Sequence, residues 1–390
     1  MRPVQRRSVF YVSGFDPKGA AHYHALYRDE AAAQERAGGL PLEVGARKRL
    51  ADGNAAWSVA AEEDGAAIRT HYEFVRWDHV VRAHWPRGKL QLWRDMLVAS
   101  LFNLRHGSLW RMFKQCWPPA VALFIPFVVL CVLLLGAPLL GGLAAWGAWT
   151  FTGQAWTAWP AVALVLLALA WFERRMDERF NMYWLMRSYA FTRKQALGRT
   201  PDLEAALDAQ ARKLAAQLRD GEDDEVLVVG HSSGAIMAAL LVVRALRLLE
   251  GKPHRATLSL LTLGQCIPLL ATLPQALRFR DELAELGRAS DLHWVDFSAP
   301  PDASCFALCP PPGAEARTKL LSPRFAEMFD APSYRALRRD KFRMHFQYLM
   351  AAPRPVDYDY FRITAGAKTL EQRFAHLASV TDFRTLRPFG

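Results

Sequence analysis

From Gln115 to Phe172 the chain carries no Asp, Glu, Lys, Arg or His. No other feature limits the fold as much as these nearly sixty uncharged residues. A helix needs about 20 apolar residues to cross a bilayer. Ala120–Leu140 (AVALFIPFVVLCVLLLGAPLL) supplies them alone, and Pro126 and Pro138 within it are tolerable in a membrane helix. Trp156–Phe172 is a second, shorter run, which Trp146 and Trp149 can extend. Between them, Gly141–Gln154 is rich in Gly, Trp and Thr and predicts a tight turn at a membrane interface. The expectation is two spans and a short hairpin. A buried helical pair in a soluble core explains the block less well, because the run far exceeds what a core helix needs.

The flanks set an orientation. Arg105, Arg111 and Lys114 precede the block, Arg174, Arg175, Arg179 and Arg187 follow it, and the loop between the runs has no positive charge. The positive-inside rule then places both flanking segments on the cytoplasmic side of an inner (cytoplasmic) membrane. The net charge of +11 reads as attraction to an anionic leaflet. Nucleic acid is not an expected partner, since the excess is spread out and no recognition motif appears. Cys116, Cys131, Cys266, Cys305 and Cys309 show neither a disulfide framework nor metal-ligand spacing, so no metal and no cofactor are expected. The N-terminal apolar stretch is broken by Gly14 and Asp16 and does not read as a secretory signal.

The rest of the chain alternates strands and helices. Ser8–Ser13 (SVFYVS) reads as a buried strand, and Lys18–Arg36 as a helix. Trp57–Ala61 and Ala67–Val75 flank an Asp64-Gly65 hairpin turn. Leu90–Leu104 is a helix leading to the block, and the aromatic run Met182–Phe191 after it suits a membrane interface. Asp202–Arg219 is an amphipathic helix with Leu203, Leu207, Ala211, Leu214 and Leu218 on one face. Glu225–Val229, Leu258–Leu263 and His293–Phe297 are further strands, and Gly234–Leu249 is a long apolar helix. This order predicts an α/β fold with a mostly parallel sheet covered by helices. Residues 1–114 and 173–390 form its two parts, and residues 115–172 are an inserted membrane hairpin.

The sharpest motif is Gly230-His231-Ser232-Ser233-Gly234, a G-x-S-x-G pattern. It directly follows the strand EVLVV and directly precedes the helix AIMAALLVVRALRLL. That setting suits a nucleophile elbow, in which a tight turn lifts the serine above the sheet edge. The helix N-terminus behind it favours developing negative charge.

With this motif the chain resembles the α/β-hydrolase superfamily, as a membrane-anchored serine hydrolase of bacterial type. The resemblance implies a triad in the order Ser, acid, His, with Ser232 as nucleophile. It places the acid after a late strand. Asp302, in the loop after His293–Phe297, is the choice, and Asp296 inside that strand is its rival. His345, opening what reads as the final helix, is the expected base, with His376 the runner-up. Ser233 and Phe15 are the expected backbone oxyanion donors. Asp16, beside Phe15, is expected to cap the next helix. Trp77-Asp78-His79 reads as structural.

The expected function is hydrolysis of an ester or thioester, with lipid-like acyl substrates suited to a membrane anchor and acyl transfer possible where water is excluded. A catalytically inactive membrane-anchored scaffold or binding module is the alternative. The expected partners are the lipid bilayer and an acyl-ester small molecule. The sequence leaves the oligomeric state open.

Overall fold

The computed structural model describes residues 3–380. The chain divides into two compact units. One runs up to His84 and resumes at Lys194, and the other is Trp85–Arg193.

The first unit is built on one sheet. Its strands are β1 (Arg6–Val12), β2 (Leu42–Val44), β3 (Lys48–Arg49), β4 (Ala55–Glu63), β5 (Ala66–Phe74), β6 (Glu225–His231), β7 (Thr257–Leu263), β8 (Leu292–Phe297) and β9 (Thr318–Leu321). Their order is β2-β4-β5-β1-β6-β7-β8-β9, with β3 also on β4. All pairings from β5 through β9 are parallel, and those of β2, β3 and β5 with β4 are antiparallel. The β6 sequence EVLVVGH is buried at every position, as expected of a parallel strand covered on both faces. The β4–β5 hairpin turns at Asp64 (φ 54°) and Gly65 (φ 75°), both in the left-handed region, which matches the twist of the flanking strands. Helices Ala20–Arg36, Pro201–Asp220, Gly234–Leu249 and Leu277–Arg288 accompany the sheet.

An ion pair locks the β1–β6 seam. Arg7 Nε donates to Glu225 Oε2 at 2.6 Å, with both side chains fully buried. The guanidinium also donates to the carbonyls of Gly366 (2.8 Å) and Lys368 (2.7 Å). Glu225 Oε1 accepts from Ser259 Oγ and from the Leu370 N–H, each at 2.7 Å. Every charge is thus met by several partners, which a buried pair requires.

The strand order also locates a crevice. From β1 the chain builds β4 and β5 on one side, then returns to add β6 on the other. The winding therefore reverses between β1 and β6. Open α/β sheets bind ligands outside the carboxyl ends of strands at such a reversal.

The second unit is helical: Lys89–Arg105, Ser108–Gln115, Trp117–Thr152, Ala158–Phe180 and most of Met182–Ala196. It is wider than the uncharged block. Two of its helical segments, of 36 and 26 residues, are long and apolar enough to cross a membrane. The turn expected over Gly141–Gln154 is corrected. The first helix continues to Thr152, and the reversal is confined to Gly153 (φ 69°) and Gln154. In a stretch this apolar, backbone N–H and C=O groups find partners mainly within the helix, so the glycines stay helical.

Candidate active site at the carboxyl ends of β1 and β6

Ser232 follows β6 with φ 60°. A non-glycine residue in that region is uncommon and costs about 1–3 kcal/mol, so the surroundings must impose it. They do so at both flanks. A Cβ on Gly230 would stand 2.6 Å from Ala235 Cα and 2.8 Å from Ala238 Cβ. A Cβ on Gly234 would overlap the Val12 and Ser13 carbonyls. The Ser232 N–H donates to Leu263 O at 2.9 Å, and its carbonyl accepts from the Ala235 N–H at 3.1 Å. Helix Gly234–Leu249 starts immediately behind it. The β1 loop approaches from the other side: a Cβ on Gly14 would lie 3.3 Å from Ser232 Oγ.

The structure brings Asp302 and His345 together. Both are 1% exposed, and His345 Nδ1 lies 2.8 Å from Asp302 Oδ2. A carboxylate only accepts here, so Nδ1 carries the proton. In neutral His345 the basic nitrogen is therefore Nε2. Asp302 also accepts from the Ser304 N–H (3.0 Å) and the Tyr348 hydroxyl (3.2 Å). Burial pushes its carboxyl up, but the His345 charge and the hydrogen bonds from His345 and the Ser304 N–H win and hold it below the usual value.

His231 ties this pair to the elbow. Its Nε2 donates to the His345 carbonyl at 2.8 Å, and the two rings lie 5.0 Å apart. Burial first, then the His345 charge, lower the His231 pKa to about 3. It is a neutral strut, not an acid or base. The Cys266 thiol also approaches the elbow, with Sγ 3.8 Å from Ser232 Oγ. Burial pushes its pKa up to about 12, so it stays a thiol and does not compete as nucleophile.

The remaining expected residues fall into place differently. The Phe15 N–H donates to Ser233 Oγ at 2.8 Å, so the serine after Ser232 occupies that donor. Asp16 does not cap helix Ala20–Arg36, whose N-cap is Gly19. Instead its carboxylate closes a local turn with the Lys18 N–H (2.9 Å) and accepts from Tyr23 Oη (3.0 Å). Two residues of intervening chain put Asp16 too early for capping. His345 does not open the final helix. It lies near the end of the short helix Lys341–Phe346, and helices Tyr360–Ala365 and Leu370–Phe374 follow. His376 is exposed and lines a cleft with Asp357 and Arg373. Asp78 pairs with Arg76 and Arg82, and the Trp77 indole donates to Ser13 O at 2.9 Å.

Asp296 is fully buried and accepts from Thr262 Oγ1 and Ser298 Oγ, each at 2.7 Å. Burial raises its pKa to about 7 despite those bonds. A folded pKa above the unfolded one means the group's stabilisation is complete only below the unfolded value near 4 and is lost as pH rises from there to about 7. Asp296→Asn should therefore flatten the fall in melting temperature between about pH 4 and pH 7, measured by thermal denaturation. An unchanged pH slope would contradict the assignment.

Sequence inspection missed Tyr348 and Cys266. Tyr348 bonds Asp302 and also accepts from the Ala299 N–H at 2.9 Å. Its spacing of three residues from His345 was the one signal available. No protein-family model matches the chain, and neither does any curated protein or solved structure.

Proposed function

We propose that the chain is a serine hydrolase of the α/β-hydrolase type, held to a membrane by the hairpin inserted within its sheet domain. The observation that carries this reading is the His345–Asp302 hydrogen bond, linked through His231 to the turn that holds the next residue, Ser232, at φ 60°. A serine hydroxyl is a weak nucleophile without a base. In this reading Ser232 Oγ attacks the acyl carbonyl while His345 Nε2 takes its proton. Asp302 holds the imidazole orientation and stabilises the imidazolium. The imidazolium then protonates the departing alkoxide or thiolate, which leaves an acyl-serine. Water, deprotonated by His345, cleaves the ester and returns the proton to Ser232. The Ser233 N–H and, once the Ser233 hydroxyl turns aside, the Phe15 N–H face the oxyanion.

The apolar hairpin and its cationic flanks support a membrane site with the hydrolase part on the cytoplasmic side. They favour acyl esters of lipid-like character as substrates. One observation favours the inactive scaffold instead: Ser232 is only 4% exposed, so an acyl group must displace covering side chains to reach it.

Hydrolysis of nitrophenyl esters of increasing acyl length by the full chain in detergent tests the reading. Wild type should turn them over, and Asp302→Asn should lower kcat about 10⁴-fold by losing the productive tautomer. His345→Ala should be at least as damaging. Wild-type turnover by both folded variants would sink the assignment.

A further inference from the structure

The two long helices are packed in a definite register. A Cβ on Gly136 would touch Leu169 Cδ2 at 3.8 Å, and one on Gly141 would touch Val162 Cγ1 at 3.9 Å. Continued along both helices, this register sets Val132–Thr152 beside the uncharged part of the second helix. It sets Phe124–Cys131 beside Glu173–Phe180, which carries Arg174, Arg175, Asp177, Glu178 and Arg179. Those charges do not belong in hydrocarbon. Val132–Thr152 is about 30 Å long, the thickness of a bilayer core. Burial divides the helix at the same place. Pro119, Ala120, Leu123, Pro126, Val129 and Leu130 are buried, but beyond them only Gly141 is.

The first four turns of this helix are therefore apolar yet lie outside the membrane core. One of their faces lines a groove of about 300 Å³ with Phe113, Val121, Phe124, Val128, Phe172 and Met176. Exposed Lys114 follows Phe113 in the chain, and exposed Arg175 and Arg179 flank Met176, whereas Arg111 lies on the opposite helix face and donates to His106 O at 2.9 Å. Lys114 Nζ lies 5.3 Å from the Trp110 ring, and Arg175 meets Glu178 only in an exposed pair at 3.2 Å.

We propose that this groove binds one acyl chain of an anionic phospholipid, with its phosphate held by Lys114 and Arg175 at the rim. The inference rests on the hairpin crossing a bilayer and is independent of the hydrolase chemistry. The groove continues the apolar surface of the spans, so a chain enters from the membrane without crossing water. Charge selects the occupant. A second copy of the hairpin would set the same cations against one another, whereas a phosphate complements them.

The test is photocrosslinking of the full chain in nanodiscs, with diazirine-chain phosphatidylglycerol or phosphatidylcholine, followed by peptide mapping. Adducts between Phe113 and Val128 and at Phe172–Met176 should favour the glycerol headgroup. Val128→Trp should fill the groove and remove them while adducts over Leu134–Thr152 persist. Lys114→Gln and Arg175→Gln, which leave the groove walls intact, should each lower groove labelling by phosphatidylglycerol about five-fold. Equal labelling by both headgroups would overturn the proposal. No labelling of Leu134–Thr152 would instead remove the membrane-spanning premise.

Discussion

Ser232→Ala should lower turnover by about 10⁴- to 10⁶-fold, the range found when a serine nucleophile acting with its histidine is removed. Ser232→Gly should be equally inactive but more stable than wild type. The difference lies in the backbone. Ser232 sits at φ 60°, where serine is strained by about 1–3 kcal/mol and glycine is not. Against this, glycine makes the unfolded chain more flexible, at a cost of about 0.5–1 kcal/mol. The net gain is about 1 kcal/mol, or a melting temperature raised by about 2 °C. Loss of activity together with a gain in stability distinguishes a serine kept for chemistry from one kept for packing. If Ser232→Gly melts well below wild type, the strain is not there to be released.

Arg7→Met should be the most destabilising single change in the sheet domain. It leaves Glu225 ionised and buried between β1 and β6, with only Ser259 Oγ and the Leu370 N–H to meet it. Breaking a buried pair from one side costs about 3–5 kcal/mol, which corresponds to a fall in melting temperature of about 10 °C. Arg7→Met combined with Glu225→Leu should recover much of the loss, because no buried charge then remains. Recovery is incomplete, since Ser259, Leu370 and the carbonyls of Gly366 and Lys368 lose partners. Thermal denaturation of the single and double variants checks both steps. A double variant no more stable than Arg7→Met would show that the seam depends on the charges themselves.

The elbow was legible in the sequence because its causes are local. Gly230 and Gly234 sit where any side chain would strike the neighbouring helix or the end of β1, and the strand and helix that force this adjoin the motif. The Asp64-Gly65 hairpin was legible for the same reason. Strands β2, β3 and β9 were not, because two to four residues carry no periodicity. Asp302 and His345 are 43 residues apart, and only the resemblance to a family order suggested pairing them. Tyr348, which bonds the same carboxylate, had no such guide. The struts between His231 and His345 depend on how two distant loops meet, which no residue spacing encodes. Composition found the uncharged block and two runs within it, but placed the turn between them too early. Only the register of the two helices separates Trp117–Cys131 from the stretch that matches a bilayer core.

The central claim is that Ser232 is a nucleophile activated by His345, and covalent capture tests it most directly. The full chain in detergent, treated with a fluorophosphonate and digested for peptide mapping, should carry a single adduct on Ser232. Ser232→Ala should carry none, and His345→Ala should label far more slowly. Folded wild type that takes up no label, or takes it up at another residue, would contradict the account.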